Sequence, residues 1–234
     1  MRTRGVAQVA LFNWPKLVGG ILTSLAGLLT WRRLPWPARL VTLGASFWTP
    51  VSLLASWWVY DRSELHSWRF FVRRLPVPPR RILLIVAGFD EVSGPLAGVF
   101  PDAEITVVDV VATPEASVRR ARALYPSRAP VVDPDHLGPD QAYDLVVFAQ
   151  SAHEIRDPIS RHALFASARS VLSEDGRVVV VEHLRDLRNL VAFGPGAWHF
   201  QSERVWLESF STGGLVIDTS TTVTPLVRCW VLKA

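Results

Sequence analysis

Several residue types are scarce in this 234-residue chain, and each scarcity narrows what it can be. A single cysteine, Cys229, excludes an intrachain disulfide and any zinc site built from several thiolates, and it is consistent with a reducing compartment. Its place in an apolar C-terminal run suits a small buried filler better than a nucleophile. The histidines include no His-x-x-x-His pair, and His66, His136 and His162 share no metal spacing, so no metal is expected. No repeat or low-complexity tract is visible, which sets aside solenoids and disordered tails. Acid is absent from the first sixty residues: Asp61 is the first, and Glu64 is the only other before Arg80.

That imbalance, with Arg and Lys alone carrying charge in the opening stretch, favours an anionic membrane surface. Nucleic acid is not expected, because the arginines interleave with Trp, Leu and Pro and form no polar basic face. Arg2 and Arg4 ahead of an apolar stretch resemble a signal peptide loosely. Asn13-Trp14-Pro15-Lys16 interrupts before any small-residue cleavage pattern, so the segment is expected to be retained.

Asn13 with Pro15 two residues later predicts a helix start. The uncharged run Leu17 to Trp31 has 15 residues, a helix of about 23 Å against a hydrocarbon core of about 30 Å. Leu40 to Tyr60 has 21 uncharged residues, about 32 Å as a helix, with Pro50 expected to bend it. Two arrangements stand. A spanning hairpin would place Arg32, Arg33 and Arg39 on the side opposite the domain that follows, against the positive-inside tendency. Two helices lying in one leaflet keep those arginines on the cytoplasmic side, with Trp31, Trp36, Trp48, Trp57 and Trp58 at headgroup depth, and this monotopic arrangement is the expectation. Core helices of a soluble protein are the plain alternative. Asp61 to Phe71 alternates charge with aromatics and is expected to form an amphipathic surface helix. Leu75-Pro76-Val77-Pro78-Pro79 then blocks helix and sheet alike. The expected division is a membrane-associated helical segment at 1–75, a proline linker at 76–79 and an α/β domain at 80–234.

Ile82 to Ile85 is an apolar run of strand length, as a central parallel strand covered on both faces requires. A turn at Ala87-Gly88-Phe89-Asp90-Glu91 leads into a helix through Phe100, and Glu104 to Asp109 reads as a second strand ending in an acid. Strand, glycine turn, helix, strand and acid make a nucleotide-binding layout. Further elements are a helix at Glu115 to Tyr125, a short third strand at Val131-Val132-Asp133, a fourth at Tyr143 to Phe148, a helix at Pro158 to Leu172, a fifth strand at Arg177 to Glu182, and a helix at Ser202 to Thr212. Two joined strands, Leu215 to Thr221 and Thr224 to Leu232, close the chain.

In this order of elements the region after Arg80 resembles the class I S-adenosylmethionine-dependent methyltransferases. Tyr143-Asp144-Leu145-Val146-Val147-Phe148 resembles the family's fourth-strand motif, and Val171 to Glu182, with its Gly176 turn, resembles the fifth. The resemblance implies a Rossmann-like α/β fold, mainly parallel with a C-terminal antiparallel pair, preceded here by hydrophobic helices. It implies S-adenosylmethionine as cofactor, held by Ala87, Gly88 and Asp90 at the first turn, by Asp109 on the ribose, by Asp135 near the adenine and by Gln150 where cofactor and acceptor meet. Asp90 has two readings, a ligand for the cofactor's ammonium or a cap for the next helix. Of the family's three closely spaced glycines only Gly88 remains.

His153 and Glu154, after the fourth strand, are the leading catalytic pair, with imidazole accepting a proton from an acceptor hydroxyl, and His183 is the second candidate. The alternative makes His153 a loop residue and Glu154 a solvated charge. Trp198, His199 and Phe200 are candidates for an acceptor-pocket wall. The leading function is a methyltransferase on the cytoplasmic side of a bacterial-type inner membrane, acting on a quinone, isoprenoid or other lipid-like acceptor. The second is a non-catalytic scaffold with the same fold, partnered by integral membrane proteins of a respiratory or photosynthetic complex.

Overall fold

The computed structural model describes residues 5–112, 115–125, 130–133, 135, 137 and 142–234. Three helices come first: α1 (Gly5–Phe12), α2 (Trp14–Leu29) and α3 (Trp36–Trp57). α2 begins where Asn13 and Pro15 predict, but the Asn13 amide donates to the Val9 carbonyl at 3.1 Å instead of capping α2. α1 and α2 meet at an angle of 78°, so they do not form one rod. α2 and α3 form a hairpin whose close approach depends on Gly27, where an added Cβ would lie 2.1 Å from Thr42 Oγ1. By length and composition, among the described residues, one helical stretch (Trp36–Ser67) is long and apolar enough to cross a bilayer, or two if the bent α1–α2 pair is counted.

The segment after α3 departs from the expected surface helix. It breaks into short turns at Trp58–Arg62, Glu64–Ser67 and Val72–Arg74, with Trp68 in the left-handed region at φ 54°. The reason is burial: Val59, Leu65, Trp68 and Phe71 all turn inward and pack against Ile82, Leu84 and Val179 of the sheet. A continuous helix would present them on one stripe, whereas the irregular path spreads them over a sheet face.

The six-stranded sheet has the order β2-β1-β3-β4-β6-β5, built from β1 (Arg81–Val86), β2 (Glu104–Asp109), β3 (Tyr143–Ala149), β4 (Leu172–His183), β5 (Val216–Thr224) and β6 (Val227–Lys233). The first four are parallel, and the terminal pair runs antiparallel. The central strands are apolar on both faces because both are covered. On one face Leu83, Ile85, Val146, Phe148 and Val178 pack with Leu164 and Phe165 of α6 (Pro158–Ser170) and Trp206 and Phe210 of α8 (Glu203–Thr212). The other face carries the post-α3 segment, α4 (Ser93–Val99) and α7 (Leu187–Phe193). Cys229 is buried here, which pushes its thiol up to about 12, in keeping with a filler. The expected third strand is reduced to a single parallel bridge between Val131 and Asp109, so it extends the sheet by one residue pair only.

α1 is pinned at both ends. Asp61 accepts from the Gly5 and Val6 amides at 2.8 Å each, supplying two of the free donors at the helix start. At the other end Arg120 of α5 (Ala116–Leu124) donates to the Phe12 carbonyl at 2.5 Å, and the Phe12 ring meets Phe89 and Tyr125 edge-on. Asp61→Ala removes the first anchor, at a cost of about 1–2 kcal/mol in α1 docking. Amide exchange across Gly5–Phe12 should then quicken while β1 and β3 keep their protection. Unchanged exchange in α1 would show that the carboxylate does not hold it.

Candidate active site

A cavity of about 1120 Å³ lies over the carboxyl ends of β1, β3 and β4. This is the edge where a parallel α/β sheet presents its loops. Its floor is Val86, Ala87, Ala149, Gln150, His153 and His183, and α1 and α3 close it from above with Gln8, Phe12, Thr49, Ser52 and Ser56. α3 contributes Trp48, Thr49, Ser52, Leu53 and Ser56, pairs of neighbours four residues apart that make one helical stripe facing inward.

The chemistry gathers at the ends of β3 and β4. The 3-10 turn Ala152–Glu154 sets His153 beside Glu182, the penultimate residue of β4, which is wholly buried. His153 Nδ1 lies 2.7 Å from Glu182 Oε2, its amide donates to Glu182 Oε1 at 3.3 Å, and its Nε2 is 3.5 Å from Glu154. Burial alone would depress this imidazole. The charge of Glu182, with hydrogen bonds to Glu154 and Glu182, outweighs it and holds His153 up at about 10, so the ring is a cation at neutral pH. Its hydrogen bond in turn holds the Glu154 carboxyl below the ordinary range. His153 therefore lies in the site as the sequence suggests, but charged, and the expected role of accepting a proton does not suit it.

His183 is the opposite case. Burial and the neighbouring His153 charge bring it down to about 4, against the hydrogen bonds it donates to Asn189 and the Leu226 carbonyl. Its Nδ1 faces two acceptors, Asn189 Oδ1 at 3.1 Å and the Leu226 carbonyl at 2.9 Å, so the ring proton sits there. Nε2 is left to accept from the Tyr60 hydroxyl at 3.0 Å. The Gln150 amide oxygen stands 3.2 Å from the same hydroxyl as a second acceptor, and among the described residues the Gln150 amide nitrogen is buried with no hydrogen-bond partner. Gln150 itself adopts φ 54° at the end of β3. Burial, reinforced by the charge of Glu91, pushes the Tyr60 phenol up.

Tyr60 is a site residue that the sequence did not reveal, and Glu91, expected only as a second negative charge beside the methionine site, also lines the cavity. Glu91 stands exposed on the cavity wall, with protein packed around that wall. The desolvation this imposes, helped by the charge of Asp90, pushes its carboxyl up to about 7. Asp90 lines the same wall but accepts from the Val92 and Ser93 amides at 3.0 and 2.9 Å and pairs with the Ser93 hydroxyl, so it caps the start of α4.

The expected ribose contact is otherwise engaged. Asp109 is buried and accepts from the Gly88 amide at 3.1 Å, the Val111 amide at 2.9 Å and Arg122 Nη2 at 2.6 Å. Arg122 also bonds the Gly88 and Val111 carbonyls. Gly88, at φ +93°, admits Val118 so closely that an added Cβ would lie 2.0 Å from its Cγ1. Neither Gly88 nor Asp109 is among the described residues lining the cavity, whereas Ala87 is. Asp135 is exposed and stands outside that lining, and its neighbours Pro134 and His136 lie outside the described residues. His199 and Phe200 line the cavity as anticipated, Phe200 stacked on His183 with centroids 4.8 Å apart, but Trp198 faces outward, because the turn Gly194–His199 sends neighbouring side chains to opposite sides.

No protein-family model and no curated protein sequence matches the chain. Solved structures do match. The pyocyanin biosynthetic protein PhzM is 13% identical over 97% of this chain and 72% of its own, with a TM-score of 0.58. The mitomycin 7-O-methyltransferase MmcR is 14% identical over 100% and 73%, at 0.53. An S-adenosylmethionine-dependent methyltransferase from Clostridium acetobutylicum is 12% identical over 77% and 97%, at 0.51. The likeness is one of fold: the chain has the Rossmann-like architecture of the class I methyltransferases, with helices placed ahead of the sheet.

The buried His153–Glu182 pair makes stability depend on pH. An imidazole raised from 6.5 to about 10 contributes fully below pH 6.5 and loses that contribution as pH climbs through about 10. The gap in thermal midpoint between the native chain and His153→Gln should therefore shrink steadily from pH 6.5 to 10. A gap constant across this window would mean that the pair is not ionic.

Proposed function

We propose that the chain is a membrane-associated methyltransferase that uses S-adenosylmethionine to methylate a hydroxyl of an amphiphilic acceptor such as a quinol, isoprenoid or other lipid. The observation that carries this reading is the half-open cavity over the strand ends, lined by ionisable groups of separated proton affinity and covered by helices that are apolar overall and turn polar side chains toward it. Such a roof suits an acceptor arriving from a bilayer. Support for a monotopic attachment comes from α3: from Trp48 onward it roofs the cavity, leaving Trp36 to Phe47, about 18 Å of helix, against a core of about 30 Å.

The fit to the cofactor is uneven. The wall of Ala87, Glu91 and Gln150 suits its methionine end, with Glu91 in place of Asp90 as the acid free to meet an ammonium or a proton. The ribose end does not fit while Arg122 holds Asp109, since one lone-pair position of that carboxylate is left. When bound, S-adenosylmethionine supplies an electrophilic methyl group. The chain's own residues handle the proton and the charge. Glu91, poised near neutrality, accepts the proton of the acceptor hydroxyl. The His153 cation, fixed by Glu182, stabilises negative charge developing on the acceptor oxygen. The Tyr60–His183 pair orients the acceptor through the tyrosine oxygen.

The closed Asp109 also favours the second reading, a scaffold that keeps the fold without binding the cofactor. Calorimetric titration with S-adenosylmethionine and with its demethylated product separates the two. The enzyme reading expects binding by the native chain, weaker binding by Asp109→Ala, and about tenfold tighter binding by Arg122→Ala, which frees the carboxylate. Absence of binding by both the native chain and Arg122→Ala would leave the scaffold. Methyl transfer into extracted lipid should fall by about 10²-fold or more in Glu91→Gln with cofactor binding retained; undiminished transfer would take the proton-accepting role from Glu91.

A further inference from the structure

We infer that a second surface, Leu187 and Val191 of α7 with Trp198 of the following turn, enters the same anionic bilayer as the N-terminal hairpin, so that the membrane meets the molecule from both halves of the chain beside the cavity. This rests on the membrane reading above and adds to it a contact that the sequence did not assign.

The three side chains are 76%, 53% and 64% exposed, high for Leu, Val and Trp. The patch is continuous with the hairpin. The Trp48 indole of α3 donates to the Val191 carbonyl at 3.2 Å and lies against Gly194, and Trp48 is in turn edge-on to Phe47, itself half exposed. α3 and α7 are thus held together through Trp48, which contacts Phe47 on one element and Val191 on the other. Charge selects the occupant. The hairpin carries Lys16, Arg32, Arg33 and Arg39 with no acid, and the second patch is flanked by Arg185 and Arg188. Its one acid, Asp186, is spent on the Asn189 amide and side chain. Apolar side chains rimmed by arginine, with tryptophan at the margin, suit an acidic phospholipid surface. Pro195, Gly196 and His199, between and beside the patch residues, line the cavity, so the bilayer would lie against its wall and shorten the acceptor's path.

The test uses the full chain and vesicles of phosphatidylcholine, alone or mixed equally with phosphatidylglycerol. Cys229 is buried, so Trp198→Cys and, as a control on α8, Ser211→Cys can each carry one environment-sensitive fluorophore. The expected result is a blue shift on the mixed vesicles for the first and none for the second, with partitioning reduced about tenfold in Trp198→Ser and in Leu187→Glu. If the native chain partitions, Leu40→Glu in the hairpin abolishes it, and the Trp198 position stays in water, the second contact is wrong and the membrane reading survives. If the native chain ignores both vesicles, the membrane reading falls and takes this inference with it. A blue shift that needs no vesicles and grows with protein concentration would assign the patch to a second copy of the chain, and would overturn the proposal.

Discussion

The rest of the molecule depends on what two adjacent residues do at the end of α3. Asp61 reaches back and takes both free amides at the start of α1, while Tyr60 reaches inward to His183. Gly5 comes so near that an added Cβ would lie 2.5 Å from the Tyr60 Cβ, which leaves no slack between the two jobs. The helical roof and the polar floor of the cavity therefore share one backbone hinge point. Any force that shifts α1 or α3 relative to the sheet is felt at a hydroxyl within hydrogen-bonding reach of the site.

Inside the cavity a single charge orders the others. Glu182 sits on a central strand with no exposure to water, and a carboxylate there requires a compensating cation. His153 supplies it. Once charged, His153 suppresses protonation of His183 and, after burial has lowered it first, of His199 as well. Three of the histidines that line one pocket thus take different states, His153 cationic and His183 and His199 neutral, from nearly the same starting affinity. That division follows from the order of side chains at the ends of β3 and β4, and it needs no ligand to establish it.

The sheet was legible because continuous apolar runs bounded by glycine turns have few other solutions, and Ile82 to Ile85, Leu145 to Phe148 and Val178 to Val181 all take the strand positions expected of them. What stayed hidden depended on partners distant in sequence. Asp109 at a strand end reads as a free ligand, and nothing local says that Arg122, a turn and a half into a later helix, will occupy it. The periodicity of Asp61 to Phe71 is real, but the competing pull of a bare sheet face on Leu65, Trp68 and Phe71 prevailed over helix continuity. Tyr60 closed an apolar run and read as the end of a membrane helix, and its role depends on a contact with His183 across 123 positions.

The charge on His153 also bears on where a proton could go. A histidine and a glutamate next to each other in sequence suggest a base and its helper, but the buried Glu182 that orients the ring also fills its proton-accepting position. His183 keeps a lone pair, yet burial has made it a poor base and Tyr60 already holds that lone pair. Among the described residues lining the cavity, Glu91 combines access, freedom from a capping duty and an affinity near neutrality. Its neighbour Asp90 makes this possible twice over, by taking the capping hydrogen bonds of α4 onto itself and by placing a negative charge alongside that keeps the Glu91 proton within reach of neutral pH.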